Sequence, residues 1–224
     1  MSARSDSFAS IMGQKRGTTL EDTEVEISTP SPYKKIENGV TYYYFYEDGP
    51  LHREDGPAVE GPHGQDWYLN GELHRLDGPA VTREDGVFNS YFEWWVNGER
   101  HRPNGAGPAV IAADGRKEWW VDGKLHRDKG PAYISPDGLE QWWDQGKLHR
   151  LDGPAVKHPI GLLEWYKNGL KHREDGPAVY HRVSFFTGRK AWYLHDQKVP
   201  PFGKGAKFYL LLQKLHLRPA HFTR

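Results

Sequence analysis

Apolar residues in this chain come in short bursts, each followed by a turn signal, and not in long stripes. Aromatic pairs stand at Phe45-Tyr46, Trp67-Tyr68, Trp94-Trp95, Trp119-Trp120, Trp142-Trp143 and Trp165-Tyr166. Each leads within a few residues to a turn dipeptide: Asp48-Gly49, Asn70-Gly71, Asn97-Gly98, Asp122-Gly123, Gln145-Gly146 and Asn168-Gly169. Asn-Gly and Asp-Gly between β-rich runs mark tight hairpins, because both central residues of a type I′ turn need positive φ, which Asn and Gly accept at low cost. The pattern therefore predicts a series of β-hairpins.

The series is a true repeat. His-Arg recurs at His52-Arg53, His74-Arg75, His101-Arg102, His126-Arg127, His149-Arg150 and His172-Arg173, each time followed by Gly-Pro-Ala beginning at Gly56, Gly78, Gly107, Gly130, Gly153 and Gly176. Those glycines lie 22, 29, 23, 23 and 23 residues apart. The long interval carries extra residues near Asn89-Ser90 and Asn104-Gly105-Ala106, which belong in loops. A decayed seventh copy passes through Trp192-Tyr193-Leu194-His195-Asp196. One unit cannot bury enough surface to fold alone, so neighbouring units must stack. The expected core is the aligned row of Trp rings, and x-Asp-Gly-Pro-Ala is expected to make the second reversal of each unit, with Gly at positive φ.

A two-residue turn at Asn70-Gly71 sets a register in which Tyr68 faces Leu73, Trp67 faces His74 and Asp66 faces Arg75. The same count pairs Trp94 with His101, Trp119 with His126, Trp142 with His149 and Trp165 with His172. It also pairs Glu93 with Arg102, Glu118 with Arg127 and Glu164 with Arg173, leaving Gln141–Arg150 and Tyr44–Arg53 as uncharged exceptions. Cross-strand pairs of these kinds contribute about 0.2–1 kcal/mol each.

These units resemble MORN-type repeats, in which aromatic-x-x-Gly hairpins stack into a long antiparallel sheet. The phrase Trp-Tyr/Trp-x-Asn-Gly-x-x-His-Arg-x-Asp-Gly-Pro-Ala is similar to a MORN-like variant found in uncharacterised phage and large-virus proteins. The resemblance covers about residues 40–200, and the fixed His-Arg and Asp-Gly-Pro-Ala depart from the MORN consensus. It implies a scaffold without catalytic residues, plausible as a structural or accessory component of a virus or phage. The expected fold is all-β: an elongated antiparallel sheet of about seven stacked hairpins over 33–200, a flexible N-terminal arm over 1–32 and a capping helix and tail over 201–224. Phe208, Leu211, Leu212 and Leu215 give that helix an apolar stripe able to cover the last hairpin or dock on a partner.

Charge and chemistry narrow the function. Lys+Arg and Asp+Glu are 30 each, so the formal net charge is +0, which argues against nucleic acid as a partner. No apolar run reaches the ~20 residues of a membrane helix, and the N-terminus has no secretory h-region. The expected protein is soluble, and either intracellular or part of a viral particle.

Cys is absent, and one His per repeat does not converge on a metal ion, since equivalent strands lie about 9–10 Å apart. Each His is expected to lie against Trp with its nitrogens on backbone carbonyls, and neither metal nor cofactor is expected. Repeated Asp55, Asp77, Asp128, Asp152 and Asp175 read as turn formers and not as a singular active site. The candidate contact residues for other proteins, as in a large assembly, or for a small anionic ligand such as a signalling nucleotide, are Arg75, Arg102, Arg127, Arg150 and Arg173 with Trp95, Trp120 and Trp143. An enzyme would show one odd repeat breaking the pattern at a concave site, and the irregular stretch 82–106 is the first place to look for it.

Overall fold

The computed structural model describes residues 32–84, 90–182 and 188–199. Of the expected arm only Pro32 falls among them, and the expected helix with Phe208, Leu211, Leu212 and Leu215 lies outside. The described part is almost entirely β. One turn of 3-10 helix, Pro103–Gly105, is the helix found among the described residues. None of their helices is long and apolar enough to cross a membrane.

A 15-stranded antiparallel sheet runs from Tyr33–Glu37 to Gln197–Val199, its strands in simple meander order with no crossover once the turn ribbons are set aside. Those ribbons are five separate two-stranded hairpins: Tyr68–Leu69 with Glu72–Leu73, Trp95–Val96 with Glu99–Arg100, Trp120–Val121 with Lys124–Leu125, Trp143–Asp144 with Lys147–Leu148, and Tyr166–Lys167 with Leu170–Lys171. The long antiparallel sheet of hairpins is the one expected, but each unit makes two hairpins, one in each of two hydrogen-bond ladders, and the Asn-Gly hairpins form the second.

The Asn-Gly turns behave as the sequence predicts. Asn70 and Gly71 have φ of 51° and 86°, and the pairs at 97–98, 122–123, 145–146 and 168–169 repeat that geometry. Tyr68 pairs with Leu73, and the amide of His74 donates to the carbonyl of Trp67 at 3.0 Å, as those of His101, His126, His149 and His172 do to their own Trp. The decayed copy keeps its turn, with positive φ at His195 and Asp196. Successive ribbons are joined by Gly71 N–H to Leu51 O, Gly98 N–H to Leu73 O, and their counterparts along the chain.

The first unit departs from the expected register. Gly49 is not at positive φ; its N–H closes a turn on Tyr46 O, and Tyr44 pairs with Leu51. Tyr43-Tyr44, not Phe45-Tyr46, therefore holds the place of the aromatic pair, because this loop is two residues longer than the others. Ahead of it, Asn38-Gly39 makes a further hairpin, with Glu37 opposite Val40, that the repeat pattern did not announce.

The chain changes ladders at the first aromatic of each unit. Asp66 pairs with Val59 and Val81 in the main sheet, and the next amide, Trp67, bonds Ala80 O at 2.8 Å. Beyond Ala80 stands Pro79, which has no N–H, so the main ladder ends there and the chain pairs with its own hairpin instead. Main-sheet strands reverse at turns such as Ala112–Gly115 and Ser135–Gly138. The Asp-Gly-Pro-Ala segment connects one ladder to the other.

The core is not the expected row of Trp. Ala58, Ala80, Ala109, Ala132, Ala155 and Ala178, the last residue of each Gly-Pro-Ala, are all 0% exposed, while the Trp rings are half-buried. Each of these alanines carries the carbonyl that receives the aromatic N–H of its unit. A close-packed ladder leaves room there for a methyl group only.

Candidate functional site

The arginine row sits where the two ladders meet. Each guanidinium covers the first aromatic of its unit: Arg75 stands 3.9 Å from the Trp67 ring, Arg102 3.9 Å from Trp94, Arg127 3.9 Å from Trp119, Arg150 4.0 Å from Trp142 and Arg173 4.1 Å from Trp165. Arg53 takes the same position over Tyr43 at 4.1 Å. Each also donates Nη1 to the carbonyl of the motif proline, Arg75 to Pro79 at 3.3 Å and Arg127 to Pro131 at 3.1 Å among them. That carbonyl lies where the ladder has ended, so the arginine supplies the donor the backbone lacks. A Cβ on Gly78 would stand 2.8 Å from the Arg75 Cζ. In this unit the glycine leaves space for the guanidinium, which a Cβ would push aside, and its φ is not positive.

The carboxylates expected opposite these arginines have other partners. Glu93 is buried and binds Arg100 at 2.6 Å and the Trp95 Nε1–H at 2.7 Å. Glu118 binds Arg116 at 2.6 Å and the Trp120 Nε1–H at 2.7 Å. Glu164 binds Lys171 at 3.0 Å, and Asp66 is bridged by Arg83. Gln141 accepts from the Trp143 Nε1–H at 3.0 Å. The expected register failed here because the strand leaves the hairpin after Trp, which carries the preceding residue into the main sheet. Trp95, Trp120 and Trp143 therefore have their indole N–H groups tied to a residue two places earlier.

The motif arginines turn instead to the aspartate two residues onward. Arg53–Asp55 and Arg75–Asp77 stand at 2.8 Å, Arg150–Asp152 and Arg173–Asp175 at 2.7 Å, each through Nε. The guanidinium holds each of these four carboxyls below the usual range of about 3.8. A depressed folded-state pKa means a contribution present above the unfolded value and lost as pH falls through the folded one. The melting temperature is therefore expected to begin falling below about pH 4. In a double variant, Asp77→Asn with Asp152→Asn, melting at pH 7 is expected below wild type, with the two curves converging in acid. Parallel curves at every pH would show that these pairs do not contribute.

The histidines bind the next turn. Nδ1 of His52, His74 and His149 lies 3.1, 3.2 and 3.1 Å from the amide nitrogen of Asn70, Asn97 and Asn168, and Nδ1 of His74 and His149 lies 2.8 Å from the Asn Oδ1 as well. His101 and His126 make the same approach to Asp122 and Gln145. The contact is with the backbone N–H and side chain of the following unit, not with a carbonyl as expected. Among the described residues, no group of three or more His, Cys, Asp or Glu is placed to hold a metal ion.

Clefts open between neighbouring units along the arginine row. One of about 700 Å³ is lined by Arg53, Asp55, Trp67, Arg75 and Asp77; one of about 630 Å³ by Arg150, Asp152, Trp165, Arg173 and Asp175; and one of about 740 Å³ by Arg102, Trp119, Trp120, Arg127 and Lys129. The third differs in charge. Asn104 and Lys129 stand two residues after Arg102 and Arg127, where the other four units have aspartate. Among the described residues no carboxylate takes the Nε of either arginine, and burial pulls both guanidinium pKa values down. The same two units are the ones whose motif glycines sit at positive φ, 152° at Gly107 and 105° at Gly130. Grouping Asp128 with the recurring aspartates concealed this, because it stands one residue after its arginine. It binds Nε2 of His126 at 3.1 Å instead. Aligning the six copies on Arg and reading the second residue onward would have exposed it.

No protein-family model matches the chain, and no curated protein matches it.

Proposed function

We propose that this chain is a non-enzymatic repeat scaffold that presents a periodic surface to other proteins. The observation that carries this reading is the disposition of the motif itself. In unit after unit, Arg covers an aromatic ring, Gly makes room for it, Ala closes the ladder and His grips the next turn. The residues that recur hold a unit together, through Arg and Ala, or tie it to the next, through His, and Asp55, Asp77, Asp152 and Asp175 are partners of arginine and not free acids. Selection for a repeated joint makes a regular support, whereas catalysis needs a singular arrangement of groups.

Side chains between the joints are free to vary and face outward. Leu76 and Leu151 stand one residue after their arginines and are 64% and 80% exposed. Exposed leucines at the same position of two units, where the other four carry Glu54, Pro103, Asp128 and Glu174, suit a partner that contacts more than one unit. The MORN-like reading points the same way, to an assembly or accessory component of a virus or phage.

The test is capture of partners by the tagged full chain from its native source, followed by binding measurements with the purified partner. A stoichiometric protein partner is expected, with binding at least tenfold weaker for Leu76→Asp combined with Leu151→Asp, at unchanged melting temperature. Absence of any stoichiometric protein, or a partner indifferent to both substitutions, would overturn the reading.

A further inference from the structure

Four of the six units show what the free edge of a motif arginine takes. In each, Nη1 donates to the proline carbonyl and Nε–H donates to a carboxylate oxygen at 2.7–2.8 Å. At Arg102 and Arg127 the first contact is kept, at 3.0 and 3.1 Å, and no described residue makes the second. These are neighbouring units, and both arginines line the 740 Å³ cleft. Its cations are Arg102, Arg127 and Lys129, set against one carboxylate, Asp128. In the 700 Å³ cleft two arginines meet Glu54, Asp55 and Asp77, and in the 630 Å³ cleft Arg150, Lys167 and Arg173 meet Asp152, Glu174 and Asp175.

The cleft is also built differently from its neighbours. The 3-10 turn at Pro103–Gly105 carries Asn104 at φ 62°, inside the insertion that lengthens this repeat interval. Trp119 and Trp120 form its apolar wall, and the Trp120 indole N–H is tied to Glu118. An aromatic wall with two arginine forks and a lysine suits an anion that also carries a flat or apolar body.

We propose that the cleft between Arg102 and Arg127 binds a phosphate-bearing small molecule, whose oxygens take the place that Asp55, Asp77, Asp152 and Asp175 occupy in the other units. Phosphate matches the planar donor fork as a carboxylate does, with more charge. Lys129 stands at the sequence position of the missing aspartate and adds an ammonium to the same opening. The inference is independent of the scaffold reading, since it concerns one cleft and not the periodic surface.

Calorimetric titration of the full chain with inorganic pyrophosphate, ADP and adenosine tests it. Pyrophosphate and ADP are expected to bind, more weakly at 0.3 M than at about 0.05 M salt because screening shortens the reach of exposed charges. Adenosine is expected not to bind. ADP tighter than pyrophosphate would place the base on the Trp wall; equal affinities would assign binding to the phosphates alone, and either result supports the site. The decisive variants restore the pattern of the other units. Lys129→Asp and, separately, Asn104→Asp each supply the carboxylate that the arginine lacks, and each is expected to weaken binding at least tenfold with melting temperature unchanged or raised. No binding of either phosphate probe, adenosine binding as well as ADP, or wild-type affinity in both variants would overturn the proposal.

Discussion

Glu93→Ala is expected to destabilise the protein by about 3 kcal/mol, the lower end of the loss seen when one partner of a buried ion pair is removed. The Glu93 carboxylate is 5% exposed and serves three donors: the Tyr91 hydroxyl and Arg100 Nη2 on one oxygen, and the Trp95 Nε1–H on the other. Arg100 is the vulnerable partner. Its guanidinium lies 5.0 and 5.3 Å from the rings of Trp95 and Trp120, and its buried Nε has no hydrogen-bond partner among the described residues. Without Glu93 the guanidinium would keep a buried charge and lose its counter-ion, although its side chain is one-third exposed and water can relieve part of the cost.

Urea unfolding measures the loss. Glu93→Gln, which keeps an acceptor for Trp95, is expected to fall between the two. A second readout is independent of stability. Burial first, and then the hydrogen bond to Glu93, push the Tyr91 phenol up to about 12. In Glu93→Ala the tyrosinate titration of that residue is expected to move down. An unchanged urea midpoint together with an unchanged titration would sink this account of the buried acid.

Trp142→Ala is expected to cost about 3 kcal/mol, near the low end for removal of a large aromatic because the ring is only half-buried. The ring carries the Arg150 guanidinium at 4.0 Å and the Lys157 ammonium at 4.6 Å. Its main-chain bonds, N–H to Ala155 O at 2.8 Å and C=O from His149 N–H at 3.0 Å, survive the substitution. The loss therefore reports on the side chain. Trp142→Phe is expected to recover more than half of it. A double-mutant cycle with Arg150→Ala is expected to give a coupling of about 0.5–2 kcal/mol. Additive losses would mean that Arg150 acts only through Asp152 and Pro154, its other two partners. Repeat arrays join each unit to its neighbours, so the damage should be greatest in the units around residue 142 and least in the hairpin at Asn38-Gly39. Amide exchange read along the chain checks that gradient.

Local chemistry was legible without coordinates. Asn70-Gly71 and its counterparts had to be tight turns, because an aromatic strand before and a polar strand after leave those two residues no other economical backbone. The Trp–His pairings followed by counting outward from each turn, and the all-β class followed from the recurrence. Counting failed where the chain leaves the hairpin. One residue beyond Trp67, on the N-terminal side, Asp66 belongs to the main sheet and meets Arg83 instead of Arg75. The cause is the missing N–H of Pro79, a local feature whose consequence falls on a partner strand about a dozen residues away. Likewise, the core was expected in the Trp row, yet the Gly-Pro-Ala alanine is the motif residue buried in all six copies, because the closeness of the two ladders there is set by packing.

The candidate cleft divides along the same line. That Asn104 and Lys129 break a run of aspartates is written in the sequence, and a residue-by-residue alignment of the copies would have marked them. That this leaves two neighbouring guanidinium groups on one opening without a carboxylate among the described residues was decided by tertiary structure. Sequence assigned the arginines to carboxylates across the hairpin, and only the fold shows that their carboxylate is the aspartate two residues onward. Turn dipeptides and proline act within a few bonds and can be read from the chain. Which charge meets which depends on where strands change partners, and that is settled when the ladders pack together.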